Sequence, residues 1–210
     1  MRILITAGPT REPIDPVRFL SNHSSGQLGA CLVSAAIEAG HTVTAITGPI
    51  SVAIAAEARR LNVETTRQMF DAVLSEFPHH DLLIMSAAVA DYRPKQVSPS
   101  KIGCGGTLTL ELEATEDIVA SAAKIRTACQ RIVGFALEQG TGLDRARHKL
   151  VRKNLDMIVF NPLETMNSAS IQATLLYPDA PQEALPPLTK QSFAHVLLDR
   201  CLILFAPPLK

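Results

Sequence analysis

The feature that most constrains this chain is the regular alternation of strand-like and helix-like segments through residues 1–90. Residues 3–6 form a short β-rich run stopped by Gly8-Pro9. Residues 26–39 read as a helix: Leu28, Leu32, Ala35, Ala36 and Ala39 share one face, and Gly40 ends it. A second strand spans 42–47 and closes at Gly48-Pro49. Residues 50–60 read as a helix and 63–66 as a third strand. A helix then covers 69–77, with Met69, Val73 and Phe77 four apart, and 82–86 is apolar without interruption, as a strand buried on both faces must be. This alternation predicts a mainly parallel sheet with helices on both faces and right-handed crossovers. In such sheets ligands sit beyond the carboxyl ends of the strands. The segments at those ends are 7–10, 47–49 and 86–91.

The rhythm then changes. Pro94, Pro99, Gly103, Gly105 and Gly106 make residues 93–106 a long mobile flap. Residues 107–112 alternate like a half-exposed strand. Thr115 is placed to cap a helix over 116–129, whose first turn is acidic. A strand at 132–137, a helix at 143–155 and a strand at 157–160 follow. Residues 173–177 read as a strand, and Thr189 caps a final helix to about Leu204. The whole is one α/β domain over 1–210, Rossmann-like and three-layered, with a small β appendage at about 161–185.

Composition narrows the function. Twenty basic and twenty acidic residues cancel, Trp is absent and aromatics are 4% of the chain. Neither a net field nor stacking platforms favour nucleic acid, and no charge excess favours a membrane. The longest apolar run, 82–90, is about half of what a membrane helix needs. The N-terminus has no secretory pattern, so a cytoplasmic location is expected. Cys31, Cys104, Cys129 and Cys201 show neither C-x-x-C nor zinc-like spacing, so reduced and mostly buried thiols are expected.

The first loop is unusually polar. A Ser24-Ser25-Gly26 run at a helix start offers N–H groups and hydroxyls to a phosphate; Ser24 or Ser25 would serve equally well as an N-cap. There is no G-x-x-x-x-G-K-[ST] and no G-x-G-x-x-G after the first strand, and 47–49 lack a ribose-binding acid. An NAD(P)-dependent oxidoreductase is thereby disfavoured. Asp91 stands at a strand's carboxyl end. Arg145, Lys149 and Lys153 recur every four residues as a cationic stripe, which is either a solvated face or a polyphosphate site. The histidines form no metal-binding pair.

Taken in order, residues 5–18, 21–26, 86–94, 133–136 and 149–156 resemble the phosphopantothenate–cysteine ligase family, in its bacterial type, across nearly the whole chain. The resemblance implies a ligase that joins L-cysteine to 4′-phosphopantothenate in coenzyme A biosynthesis. It implies an acyl-nucleotidylate intermediate, release of pyrophosphate, CTP rather than ATP as co-substrate, Mg²⁺, and a homodimer whose interface the appendage supplies. It implies Asn22 and the flap residue Lys101 as catalytic. Gly8, Pro9, Thr10, Ser86, Ala87, Ala88, Asp91, Lys101, Glu116, Asp117, Ile118, Val119, Phe135, Lys149 and Lys153 would contact the nucleotide. Asn22, Ser24, Ser25 and Gly26 would contact the substrate, and metal ligands are left open. The chain departs from the family pattern at Gln27-Leu28, Gly103-Cys104, Asn161-Pro162 and in a shortened stretch at 164–170. The flavin-dependent domain that often precedes this one is not in the sequence, so a ligase without flavin is expected, either standalone or as one domain cut from a fusion. A non-catalytic nucleotide-binding relative is the remaining alternative.

Overall fold

Apolar side chains on both sides of each central strand dictate the layering. In β1 (Arg2–Ala7) Ile3 and Ile5 point to one face and Leu4 to the other, and all are fully buried. The first face packs on α1 (Gln27–Glu38) and α5 (Lys190–Ile203) through Leu32, Val33, Phe193 and Leu197. The second packs on α2 (Thr66–Glu76), α3 (Ile118–Ile125) and α4 (Leu143–Arg152) through Met69, Val73, Ala122 and Leu150. Burial on two faces is why residues 3–5 and 82–85 read as unbroken apolar runs. Each such Ile or Leu stabilises the fold by about 1.5–3 kcal/mol.

This computed structural model describes residues 1–139, 142–163 and 170–206. The sheet contains β4 (Thr42–Thr47), β5 (Arg59–Asn62), β6 (Leu82–Met85), β9 (Arg131–Glu138) and β10 (Met157–Pro162) besides β1. These six run parallel in the order β5-β4-β1-β6-β9-β10. The chain therefore winds outward from β1 in both directions. The winding reverses between β1 and β6, which leaves a crevice beyond Ala7 and Met85. Two hairpins stand above that end of the sheet. One pairs β2 (Arg11–Pro13) with β3 (Phe19–Ser21); the other pairs β7 (Tyr92–Pro94) with β8 (Leu112–Ala114).

Several expectations are corrected. Residues 50–58 are not a helix, and the strand expected at 63–66 lies at Arg59–Asn62. Ile54 and Ala55 pack on the α1–α5 side outside any helix or strand, on a face the two helices already cover. Thr65 caps α2 in a reciprocal box with Gln68, so Thr66 belongs to the helix. The strand expected at 107–112 shrinks to Leu112–Ala114, which pairs with β7. Thr115 does not cap α3. Its hydroxyl donates to Ala90 O at 2.6 Å; Asp117 caps instead, and the helix ends at Ile125. The α4 helix stops at Arg152, three residues short of the expected end. In the described part of the appendage β12 (Thr174–Leu176) and β13 (Glu183–Ala184) add antiparallel strands beside β10, while β11 (Ser170–Ile171) pairs with β14 (Leu188–Thr189). The shortened stretch at 164–170 lies outside the described residues except for Ser170. All four cysteines are free thiols, but only Cys201 is buried; Cys104 and Cys129 are exposed, so the thiols are not mostly buried. None of the described helices is long and apolar enough to cross a membrane.

Candidate functional site

The two loops that leave β1 and β6 are zipped together. Ala88 N donates to Gly8 O at 2.9 Å, and Thr10 N donates to Ala88 O at 3.3 Å. Ser86 donates its hydroxyl to Thr6 O at 2.5 Å, and Ala87 N donates to Thr6 Oγ1 at 3.2 Å. Asn22 joins this wall: its side-chain amide donates to Ala88 O at 2.9 Å, while the residue stays exposed. Gly8, Pro9 and Thr10 are buried, so they build the wall. Thr10 is fully buried and presents no side chain to a ligand.

Behind that wall lies a buried polar chain. Glu12, 2% exposed, accepts from Thr66 N and Thr66 Oγ1, both at 2.7 Å. A carboxylate only accepts, so Thr66 must give its proton to Glu12 and take one from Thr10 Oγ1, 3.0 Å away. Thr10 Oγ1 in turn accepts from Ala90 N at 3.0 Å. Both walls of the crevice are thus tied to the first turn of α2, whose positive end suits Glu12.

The start of α1 differs from the serine cap the sequence allowed. Its N-cap is Gly26, in the left-handed region at φ 76° and with no side-chain cap. Ser24 and Ser25 accept instead from Gly26 N and Gln27 N, each at 3.3 Å. A Cβ on Gly29 would lie 2.3 Å from Ala7 Cβ, so Gly29 lets α1 seat against the end of β1. Together with Gly8 (φ 81°), these residues do the tasks of a dinucleotide fingerprint, turn and close helix–strand packing, but spread around the inserted β2–β3 hairpin.

The cationic side comes from α4. Lys149 donates to Phe135 O at 3.0 Å from a half-buried position. Burial, and then the charge of Lys153, pushes its pKa below the ordinary lysine value, against the pull of Asp91, Glu138 and Asp117. Lys153 pairs with Asp117 at 2.9 Å. Burial works against the charged form of Asp117, but the Lys153 and Ala120 N–H donors outweigh it and hold its pKa low. Arg145 leaves the stripe and pairs with Glu138 at 3.2 Å. Asp91, Asp117, Phe135, Lys149 and Lys153 therefore gather at one end of the sheet. Glu116 presents no free carboxylate. Arg93 holds it at 3.0 Å and Arg67 at 3.4 Å, which anchors the base of the flap. Ile118 is buried and Val119 half-buried, so this part of α3 offers mainly backbone.

The flap is clasped at the residue next to Lys101. Asp15, 3% exposed, accepts from Ile102 N at 3.1 Å and from Val17 N and Arg18 N at 2.8 Å. The Arg18 guanidinium pairs with Asp15 at 2.9 Å and also donates to Ile102 O. Burial opposes the charge on Asp15; the N–H groups of Val17, Ile102 and Arg18 and the Arg18 charge overcome it and lower its pKa. Arg18 and Lys101 line one hollow of about 390 Å³ with Ile102, Gly103 and Cys104.

Glu12, Asp15, Arg18, Gly29 and Arg93 were not singled out from the sequence. The available signals were a Pro-bounded Asp-x-x-Arg turn at 15–18 and a Gly-x-x-Gly at 26–29.

The chain matches the family described as DNA/pantothenate metabolism flavoprotein C-terminal domain over residues 1–204. It is 41% identical over 204 residues to the coenzyme A biosynthesis bifunctional protein CoaBC of Vibrio cholerae, covering 94% of this chain and 51% of that protein. It is 39% identical over 207 residues to the CoaBC protein of Escherichia coli strain K12, covering 95% of this chain and 51% of that protein. The chain thus spans about half the length of these curated relatives. A crystal structure of the C-terminal domain of CoaBC matches with a TM-score of 0.83 at 36% identity, covering 95% of this chain and 93% of that one.

Proposed function

This chain belongs to the DNA/pantothenate metabolism flavoprotein C-terminal domain family, and from that premise we propose that it is a ligase joining L-cysteine to 4′-phosphopantothenate. The substrate carboxylate attacks the α-phosphate of a nucleoside triphosphate, and the P–O bond to pyrophosphate breaks. The cysteine amine then attacks the acyl carbon of the acyl-nucleotidylate and expels the nucleoside monophosphate, leaving an amide.

The observation that supports this best is the gathering of Lys149, Lys153, Asp91, Asp117 and Phe135 at the end of the sheet that also carries Asn22. Phosphate oxygens offer Lys153 a stronger partner than Asp117, so the nucleotide would take over the lysine. A triphosphate would likewise favour the charged form of Lys149. Asn22 both donates and accepts, which suits an amide placed between an acyl phosphate and an amine. Lys101, carried on the flap, would close over the intermediate and stabilise charge that develops there. Such sites hold Mg²⁺ through the substrate phosphates with one or two carboxylates. Asp91, which makes no direct ion pair among the described residues, fits that part; the ion would neutralise the phosphates. Among the described residues no group of three or more His, Cys, Asp or Glu side chains could hold a metal by itself.

CTP is the proposed nucleotide, in a cytoplasmic homodimer. A pyrophosphate-release assay across the four nucleotides tests the reading. Release is expected only when a nucleotide and phosphopantothenate are both present, and fastest with CTP. No release with any nucleotide at saturating substrate would exclude the activity.

A further inference from the structure

Beyond β4 and β5, across the 8–10 loop from the crevice described above, lies an open hollow of about 800 Å³. Its wall includes Arg11, Gly48, Arg60, Asn62, Glu64 and Gln68. Most arginines of this chain sit in ion pairs with Asp or Glu, whereas Arg11 and Arg60 are in none of those formed among the described residues. Both guanidiniums are nevertheless oriented. Arg60 Nε donates to Thr47 Oγ1 at 3.0 Å, and its two terminal NH₂ groups have no partner among the described residues. Arg11 lies 4.5 Å above the Phe19 ring, which covers one guanidinium face and leaves the N–H edges open.

The other polar groups here have spent their acceptors. Thr47 Oγ1 gives its proton to Asn62 Oδ1 at 3.0 Å. Gln68 Oε1 takes the N–H groups of Glu64 and Thr65 at 2.7 and 3.2 Å. What the wall has left is donors: two guanidiniums and the amide NH₂ groups of Asn62 and Gln68. The Glu64 carboxylate is the one lining side chain that opposes them. A surface rich in oriented donors and charged positive recognises an oxyanion, and guanidinium pairs match phosphate geometry in particular.

We propose that this hollow is a binding site for a phosphate monoester, held by Arg11 and Arg60. The occupant is either the phosphate end of the substrate, remote from its reacting carboxylate, or a separate phosphate-bearing small molecule. Only the first of these rests on the ligase reading; phosphate binding itself does not.

Titrations of inorganic phosphate, 4′-phosphopantothenate and pantothenate, followed on the arginine Nε–H NMR signals, test it. Inorganic phosphate is expected to shift the Arg11 and Arg60 signals. Arg11→Met and Arg60→Met, which keep the aliphatic stems, should each weaken that binding about tenfold or more. Glu64→Gln should tighten it by about twofold or more, a gain that misfolding cannot imitate. If phosphopantothenate shifts these signals and pantothenate does not, the substrate's phosphate is the occupant. If inorganic phosphate alone shifts them, the site takes a separate ligand. Phosphate affinity unchanged in all three variants, or no shift of either arginine in the parent protein, would overturn the proposal.

Discussion

Replacing Thr66 by Val tests the buried chain that binds the crevice walls together. Thr66 is fully buried, and Val has nearly its shape, so no cavity opens and no water enters. The loss is chemical. The Glu12 carboxylate gives up its 2.7 Å hydroxyl donor and, among the described residues, keeps the Thr66 N–H alone. The Thr10 hydroxyl loses the acceptor it has 3.0 Å away. A hydrogen bond to a charged group is worth about 1.5–3 kcal/mol and a neutral one about 0.5–1.5 kcal/mol. Together they predict a loss of about 2–4.5 kcal/mol, or roughly 4–18 °C in Tm for a chain of this size. Urea titration and thermal melting measure it. Thr66→Ser supplies the control: it keeps the hydroxyl, gives up one methyl, and should cost less. Thr66→Val should also be non-additive with Glu12→Gln, since both act on one bond. A Val variant within about 0.5 kcal/mol of the parent, or a Ser variant less stable than the Val one, would refute the proposed direction of proton donation.

Three further outcomes are expected. Asp15→Asn should release the flap, seen as faster amide exchange at Ile102 without a general loss of protection. Because the folded pKa of Asp15 is lowered from 3.8, the clasp should be fully formed above that pH. It should be lost only as pH falls through the lower folded value, and release already at pH 5–6 would contradict the assignment. Lys149 carries a pKa below the ordinary 10.5, so nucleotide affinity should begin to fall on the alkaline side earlier than an ordinary lysine would dictate. Calorimetry on Lys149→Met should show affinity about tenfold or more weaker and the alkaline limb gone; an unchanged limb would exclude Lys149 as its source. Gly48→Ala would put a Cβ 1.7 Å from Pro9 O. Displacing that backbone should cost about 3 kcal/mol or more and disturb the 8–10 loop, so an unchanged melting temperature would be incompatible with the geometry.

The strands at 82–86 and 132–137 were legible because burial on two faces demands apolar runs with little interruption, and those at 3–6 and 42–47 because a β-rich run stops at a Gly-Pro breaker. The segments that misled were those where a local signal competed with a tertiary one. Residues 50–60 carry enough alanine to read as a helix, yet α1 and α5 already cover that face. Thr115 has the chemistry of a cap, but its hydroxyl donates to the Ala90 carbonyl, and Asp117 takes the cap. Ser24-Ser25 read equally as cap or cradle; a left-handed Gly26 takes the cap position and leaves both serines in short turns.

The opening alternation by itself determined the α/β class, the parallel sheet and the end of it at which chemistry can occur. Those properties follow from side-chain periodicity and strand burial, which are local. Only the tertiary structure decided which charges stay available. It committed Glu116 to Arg93 and Arg67, set Asp15 beside Ile102, which lies 87 residues away, and left Arg11 and Arg60, on the wall of one hollow, without acidic partners among the described residues. Whether a charged side chain is free or spent depends on neighbours brought together by the crossovers, and sequence spacing carries no record of those distances.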